Sequence, residues 1–259
     1  MVVCMSMTRD GYKNPSRRVP DKHTRLFHGR TLDEWFCISC WASKEIDLAV
    51  LVCENPEHVE RLQPLVDQYG VKLLSRPADM ESDPMCDSGG YPMNWGLEEL
   101  QKSLFITVLC WTYVVNPVRP PEIWDLIIQD FRRRASNPDF VKGPLVEISG
   151  TPTDLTFLWY DKESGRARAM VSEREAYINI GTFAVATPRW KVAWEHFAQL
   201  GMPGAKPYEP WLYPVDPWTK VHIDEEWEWD LAEYWFGHHI GEGDEAYKAY
   251  VDYRESWEC

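Results

Sequence analysis

A short cationic segment near the start of the chain has the residue types that bind phosphate. It contains one hydroxyl and three cations: Ser16, Arg17, Arg18 and Lys22. Pro20 restricts the backbone between them, and an apolar run with the composition of a first strand, Val2–Met7, precedes the segment. In open α/β sheets, a basic loop after the first strand binds phosphate, and guanidinium groups hold its oxygens with paired hydrogen bonds. The segment therefore predicts a site for a nucleoside triphosphate, with a solvated basic loop as the alternative.

A second group of candidate site residues, His222 and Asp224, lies late in the chain. The run Val221–Ile223 is predicted to be a short strand, and residues two apart on a strand share a face. Asp224 then precedes a helix from about Glu225 to Phe236. Carboxylates are the usual protein ligands of phosphate-bound Mg²⁺, whereas imidazole suits Mn²⁺ better. We predict Asp224 as a metal ligand and His222 as a second ligand or a phosphate contact. A helix N-cap and a half-buried strand residue are the alternatives.

The elements that must position these residues alternate between strand and helix in the first half of the chain. Continuous apolar runs predict buried strands at 2–7, 48–53, 71–74 and 105–115. Helical spacing of apolar residues, with Thr31 and Pro56 at helix starts, predicts helices at 32–40, 56–69, 95–104 and 120–131. This alternation predicts an α/β fold with a Rossmann-like, mostly parallel sheet and flanking helices. Arg76 and Asn116 follow two of these strands, at the edge where ligands gather.

The second half of the chain has a different pattern. Short strands are predicted at 145–148, 155–160, 166–171 and 177–185, with a hairpin turn at Ser164 and Gly165. Helices are predicted at 188–200 and 225–236, and after the turn at 241–244. We expect a single domain over residues 1–259, from which a β-rich arm at about 143–176 projects.

Composition excludes several classes of partner. The formal net charge of −14 disfavours binding to nucleic acid and to anionic membranes, since both require a basic face. No apolar run approaches the ~20 residues of a membrane span, and none has the form of a secretory signal. Cys37 and Cys40 form a C-x-x-C within a predicted helix, without a second pair at the spacing of a zinc site. We therefore predict buried free thiols and a cytoplasmic protein.

The cationic segment resembles the motif R-x-x-S-[KR]-x-x-P-x-K-N of the acylneuraminate cytidylyltransferases. The residues in register are Ser16, Arg17, Pro20 and Lys22. His23 replaces the final Asn of the motif. Lys13 stands at the position of its first Arg, and Arg9 is the alternative for that role.

Further segments follow in the order of that family. Leu74–Asp79, with Ser82 and Asp83, resembles L-x-R-P-A-E-L-x-S-D, and Val114–Pro120 resembles L-Q-P-T-S-P. Tyr177–Gly181 resembles N-G-A-I-Y, and His222–Asp224 resembles D-I-D. The chain departs from the family at four places. His222 replaces an acidic metal ligand, Asn116 replaces a Gln, and Arg119 replaces a Ser. Residues 84–88 replace a hydroxyl-rich run.

The resemblance implies transfer of CMP from CTP to the anomeric hydroxyl of an acidic, sialic-acid-like sugar, with release of pyrophosphate. It implies catalytic cations at Arg17, Arg18 and Lys22, and nucleotide contacts at Ser16, Lys13, Arg9, Arg76 and Asp87. It also implies sugar contacts at Asn116 and Asn179, and Mg²⁺ or Mn²⁺ ligands at Asp224 and His222. In this family the β-rich arm contributes to a dimer, so the resemblance implies a homodimer.

Two other classes of protein stay open. A glycosyltransferase of related fold would bind a nucleotide-diphosphate sugar. Such enzymes usually carry a D-x-D at a strand end in mid-chain, whereas the nearest match here, His222–Asp224, lies late in the chain. A non-catalytic nucleotide-binding relative is the second class, and the replacements at His222 and Asn116 are the features that favour it.

Overall fold

The first half of the chain alternates between strand and helix in a computed structural model of the protein, as the sequence predicts. The structure describes residues 1–8, 19, 21–53, 56–77, 90–136, 146–153, 158–160, 167–169, 177–186 and 211–257. The first strands are β1 (Val2–Thr8), β2 (Leu48–Cys53), β3 (Lys72–Ser75) and β4 (Val108–Trp111). The helices among them are α1 (Leu32–Ala42), α2 (Pro56–Tyr69), α3 (Gly90–Gln101) and α4 (Pro121–Ala135).

Local signals explain where two of these helices begin and end. α1 begins after Thr31, whose hydroxyl accepts a hydrogen bond from the Glu34 N–H at 3.2 Å. The Glu34 carboxylate accepts a bond from Arg30. Gly70 follows the end of α2 at φ +66°, a left-handed conformation that glycine adopts without steric cost.

The second half of the chain completes the sheet. Its strands are β5 (Val146–Thr153), β6 (Leu158–Tyr160), β7 (Ala167–Ala169), β8 (Tyr177–Ala186) and β9 (Trp211–Pro214). The last helices are α5 (Glu226–His239) and α6 (Gly243–Glu255). Strand β9 was not predicted from the sequence. The predicted turn at Ser164 and Gly165 and the predicted helix at 188–200 lie outside the described residues.

The main sheet has seven strands in the order β3-β2-β1-β4-β8-β5-β9, and of these only β8 runs antiparallel to its neighbours. The predicted α/β fold with a mostly parallel sheet is therefore confirmed. Strand β8 pairs with β4 only through Ala184–Ala186, whereas its pairing with β5 extends to Tyr177. The first strand of the predicted arm thus belongs to the main sheet, and β6 and β7 form a separate two-stranded sheet. The role of the arm in a dimer stays a prediction.

The strands β1, β2 and β4 of the main sheet are buried on both faces. Alternate residues of β1 enter two different hydrophobic clusters, with Val2 and Cys4 in one and Val3 and Met5 in the other. The first cluster includes residues of α1, α2, α4, α5 and α6, and the second includes residues of α3. α3 packs closely against the sheet, since a Cβ atom at Gly96 would lie 2.8 Å from Met5 Cε. Burial on both faces explains why the parallel strands read as continuous apolar runs.

Two strand predictions were wrong in extent or in kind. Pairing of β4 with β1 ends at Trp111, and a turn follows in which the Asn116 N–H donates to the Tyr113 carbonyl at 3.1 Å. The apolar run at 105–115 therefore contains a short strand and a buried turn, and Phe105 at its start is 85% exposed. Residues 221–223 form no strand. Among the residues described, the one backbone–backbone hydrogen bond from this segment to another runs from the Ile223 N–H to the Val115 carbonyl, and no ladder forms.

The C-x-x-C of α1 belongs to the core. Cys37 and Cys40 are buried free thiols, as predicted, and burial raises the pKa of the Cys37 thiol well above its ordinary value. Within the described ranges, no group of three or more His, Cys, Asp or Glu side chains could hold a metal ion. Among the helices described, none combines the length and the apolar composition needed to cross a bilayer.

A buried carboxylate joins α4 to α6 and to the turn between α1 and β2. Asp125 of α4 is 3% exposed and accepts hydrogen bonds from the hydroxyls of Ser43 at 2.5 Å and Tyr253 at 2.6 Å. It also accepts bonds from the backbone N–H groups of Lys44 at 2.9 Å and Glu45 at 3.1 Å. Removal of this carboxylate would leave several donors unpaired.

We therefore predict that Asp125→Ala lowers the free energy of unfolding by about 3 kcal/mol, measured by urea denaturation. Asp67→Ala on α2 is the matched control. Asp67 is exposed, so its removal should change the free energy of unfolding by less than ~0.5 kcal/mol. A loss below ~1 kcal/mol for Asp125→Ala would contradict the role given to this carboxylate.

Candidate functional site

Part of the predicted site lies where the strand order reverses. β1 leads through α1 to β2 on one side, and β4 lies on the other side of β1. The connections that leave the carboxyl ends of β1 and β4 therefore diverge, and α/β proteins bind ligands in the crevice formed there. Lys22 comes from the connection after β1, Asn116 from the one after β4, and Asp224 from the segment before α5.

The Asp224 carboxylate contacts two of the predicted site residues. Its Oδ1 lies 3.4 Å from Lys22 Nζ, and its Oδ2 lies 3.3 Å from His222 Nε2. The Lys22 ammonium also donates a hydrogen bond to the Ile223 carbonyl at 2.8 Å. The side chains of Lys22 and Asp224 are 13% and 41% exposed. A ligand from solvent therefore reaches the carboxylate more readily than the ammonium.

His222 contacts neighbours through both ring nitrogens. Its Nε2 faces Asp224, its Nδ1 lies 2.9 Å from Asn116 Oδ1, and its ring meets Tyr113 edge-on at 5.3 Å. Burial lowers the pKa of His222, and this effect is larger than the opposing attraction of the Asp224 carboxylate. The ring is therefore uncharged at neutral pH. In the neutral ring, a proton on Nε2 is donated to the Asp224 carboxylate, and a proton on Nδ1 is donated to the Asn116 amide oxygen.

Backbone hydrogen bonds fix the segment before α5. Ile223 is fully buried, and its N–H donates to the Val115 carbonyl at 3.0 Å. The Glu228 carboxylate accepts bonds from the N–H groups of Asp224 at 2.6 Å and Glu225 at 2.7 Å. Glu225, rather than Asp224, is the N-cap of α5. The Asp224 carboxylate is therefore not used to begin the helix, which removes that alternative interpretation.

The connection after β1 packs against α5. Phe27 is fully buried, and its ring meets Trp229 at 5.6 Å and Phe236 at 5.2 Å, both edge-on. Arg25 pairs with Glu226 at 2.8 Å and lies 4.2 Å from the centre of the Trp229 ring. These contacts bring together two segments that are about 200 residues apart in sequence.

The structure brings part of the predicted site into one hydrogen-bonded network: Lys22, Asn116, His222 and Asp224. Arg76 directly follows β3 at the same edge of the sheet, two strands from β1, which is a lateral distance of about 10 Å. Asn179 lies on the part of β8 that extends beyond its pairing with β4. The other predicted site residues lie outside the described part of the chain: Arg9, Lys13, Ser16, Arg17, Arg18 and Asp87.

Some residues of this network were not predicted to be part of the site. Glu228 had a usable signal, since an acidic residue three positions after a helix N-cap is typical of a capping arrangement. Tyr113 had no sequence signal for a place in the site, because it lies in an apolar run that predicts only a strand. Arg119 was noted as a replacement, but nothing in its neighbours indicates where its side chain lies.

His222 and Asp224 fit a divalent ion that arrives with phosphate. Their facing atoms, Nε2 and Oδ2, are 3.3 Å apart, and two ligands on adjacent vertices of an octahedron at ~2.1 Å from a metal are about 3 Å apart. A His that binds metal usually donates its other N–H to an oxygen acceptor, and Asn116 Oδ1, 2.9 Å from Nδ1, is placed to accept it here. Two protein ligands suffice for Mg²⁺ or Mn²⁺ when phosphates supply the others.

Comparisons with known proteins identify the fold. No family model matches the chain, and a search of curated proteins finds no match. A 4-diphosphocytidyl-2C-methyl-D-erythritol synthase from Anaerococcus prevotii DSM 20548 is 12% identical, with a TM-score of 0.61 over 91% of this chain and 95% of that one. A CMP:2-keto-3-deoxy-manno-octonic acid synthetase complexed with CTP is 12% identical, with a TM-score of 0.60 over 92% and 99%.

A cytidylyltransferase from Leptospira borgpetersenii serovar Hardjo-bovis (strain JB197) is 13% identical to this chain. Its TM-score is 0.57, over 99% of this chain and 93% of that one. Each of these matches spans nearly the whole of both chains. They show that the protein has the fold of these solved structures.

The pKa of His222 predicts how stability changes with pH. Because folding lowers this pKa below 6.5, the unfolded chain binds a proton first as the pH falls. We expect the free energy of unfolding to decrease between about pH 7.5 and pH 5.5, and to decrease less in His222→Gln. Urea denaturation at both pH values measures the difference. Between about pH 7.5 and pH 9, where a His of lowered pKa stays neutral, the two proteins should change in parallel. An equally steep decrease in both at acidic pH would contradict the prediction.

Proposed function

We propose that this protein transfers CMP from CTP to the anomeric hydroxyl of an acidic, sialic-acid-like sugar and releases pyrophosphate. The observation that carries the proposal is the contact between Lys22 Nζ and Asp224 Oδ1 at 3.4 Å. It joins a cation and a carboxylate above the point where the strand order reverses, which is the chemistry that a metal–triphosphate complex needs. The likeness of fold to proteins named as cytidylyltransferases supports the choice of nucleotide.

The proposed work of the cations is to stabilise developing charge. Nucleotidyl transfer places negative charge on the α-phosphate oxygens and on the leaving pyrophosphate, so fixed positive groups lower the barrier. Lys22 is held for this role by its hydrogen bond to the Ile223 carbonyl at 2.8 Å. Arg17 and Arg18 are proposed to act with it, because they share its short cationic segment.

Asp224 and His222 are proposed to hold Mg²⁺ or Mn²⁺. When bound, such an ion neutralises charge on phosphate oxygens. Asn116 is proposed to orient the imidazole, since its Oδ1 would accept the Nδ1 proton when Nε2 binds the ion. The replacement of an acidic residue by His222 makes Mn²⁺ a better partner here than it would be for two carboxylates.

The bonds exchanged in the proposed reaction are at the α-phosphorus. The sugar hydroxyl oxygen forms a bond to that phosphorus, the bond to the oxygen that bridges the α- and β-phosphates breaks, and the hydroxyl proton passes to solvent. Asn116 and Asn179 are proposed to face the sugar. The nucleotide is proposed to contact Arg76, Ser16, Lys13, Arg9 and Asp87. The β-rich arm at about 143–176 is proposed as the contact between two copies in a homodimer.

We predict that Asp224→Asn and Lys22→Ala each lower the rate of pyrophosphate release from CTP by about 10²–10³-fold. The assay supplies the four nucleoside triphosphates, a panel of sugar acids, and Mg²⁺ or Mn²⁺. The matched controls are Lys248→Ala and Asp252→Asn on α6, which remove an ion pair from the protein surface. Both controls should keep the rate of the wild type within about twofold.

Three results of this assay would contradict the proposal. The first is an Asp224→Asn variant that keeps the wild-type rate. The second is transfer or hydrolysis only from a nucleotide sugar, which would indicate a glycosyltransferase. The third is nucleotide binding without turnover by the wild type, which would indicate a non-catalytic relative. Circular dichroism of each variant shows whether a lost activity reflects a lost fold.

A further inference from the structure

Arg119 is a fully buried cation below the connection that follows β4. Its residue is 1% exposed, and its guanidinium carbon lies 5.4 Å from the centre of the Phe36 ring. Its Nη2 donates hydrogen bonds to the carbonyls of Val114 at 2.9 Å and Tyr113 at 2.5 Å, and its Nε donates to the carbonyl of Asn116. A single side chain therefore contacts the backbone at both ends of this turn.

The carbonyl groups of the turn at 113–116 have two kinds of partner. Three of them accept bonds from Arg119, and the remaining one, that of Val115, accepts the bond from the Ile223 N–H at 3.0 Å. Ile223 lies between His222 and Asp224 in the chain. The turn that Arg119 contacts is thus also the surface on which the proposed metal ligands are placed.

The contacts of Arg119 are unusual for a buried cation. Among the residues described, no carboxylate forms an ion pair with it, so backbone carbonyl dipoles compensate its charge. Burial lowers the pKa of Arg119 to about 10, which keeps the guanidinium protonated at neutral pH. Arg presents its donors in a rigid planar fork, and Lys cannot reproduce three bonds in this geometry.

We propose that Arg119 is a positioning residue: it fixes the turn at 113–116, and through the Val115 carbonyl and the Asn116 amide this turn holds His222 against Asp224 with its ring in one tautomer. The Asn116 side chain is fully buried, and among the residues described only His222 forms a hydrogen bond with its amide, so the backbone of the turn and the contact with His222 determine where the amide lies. The importance of His222 rests on the proposed function, but its geometry does not.

The test measures geometry in the protein without nucleotide or metal. Nitrogen NMR of isotope-labelled protein at about pH 8, where His222 is neutral, reports which ring nitrogen carries the proton. Hydrogen exchange of the Ile223 amide reports the bond to Val115. In the wild type we expect a single tautomer of His222 and a protected amide. In Arg119→Met we expect both tautomers of His222 and exchange at Ile223 that is at least about tenfold faster.

Arg119→Lys keeps the buried charge and decides the question if the Met variant does not fold. Its ammonium replaces only part of the fork, so a mixture of tautomers is again expected. Arg254→Lys is the matched control. Arg254 donates to the Trp41 carbonyl and lies 4.3 Å from that ring, away from the turn. This control should lower stability and leave the His222 tautomer and the Ile223 exchange as in the wild type.

Two results would overturn the inference. One is a wild-type His222 that populates both tautomers. The other is an Arg119→Lys or Arg119→Met protein that folds and keeps the wild-type tautomer and exchange rate. Where the wild type turns over CTP, Arg119→Lys should also raise the Mn²⁺ concentration for half activity by about tenfold, with a smaller change of rate at saturating Mn²⁺. Absence of turnover in the wild type would contradict the proposed function and leave the NMR and exchange results as the test of Arg119.

Discussion

The peptide at Ile223 is the link on which the candidate site depends. Its N–H donates to the Val115 carbonyl at 3.0 Å, and its carbonyl accepts from Lys22 at 2.8 Å. One buried residue therefore connects the segment before α5 to the turn after β4 and to the connection after β1. His222 and Asp224 flank this residue, so the same two bonds place a neutral imidazole and a carboxylate over the point where the strand order reverses.

Much of the fold could be predicted from the sequence because its strands are buried on both faces. The run Leu48–Cys53 reads as a buried strand, and its neighbouring helices begin after the N-cap Thr31 and at Pro56. At 105–115, where the sequence shows only an apolar run, the prediction of one long strand was wrong. The run at 105–115 combines a strand, a buried turn and an exposed Phe105, and apolar content alone does not separate these states.

Less of the site could be predicted, for a physical reason. The His222–Asp224 spacing is local and was recognised, although the segment is not a strand and its geometry comes from bonds to Val115 and Glu228. The contact of Asp224 with Lys22 joins residues 202 positions apart, so it followed only from a topology in which both lie at one sheet edge. A buried Arg that donates to carbonyls, such as Arg119, leaves no periodic signal in a sequence.

The most direct test of the account is a crystal structure of the protein with Mn²⁺ and a non-hydrolysable CTP analogue, in which the anomalous scattering of manganese locates the metal. The account predicts a manganese peak bonded to the Asp224 carboxylate, between the carboxyl ends of β1 and β4, with the triphosphate within reach of the Lys22 ammonium. A metal and nucleotide bound elsewhere, with the Lys22–Asp224 contact undisturbed, would contradict it.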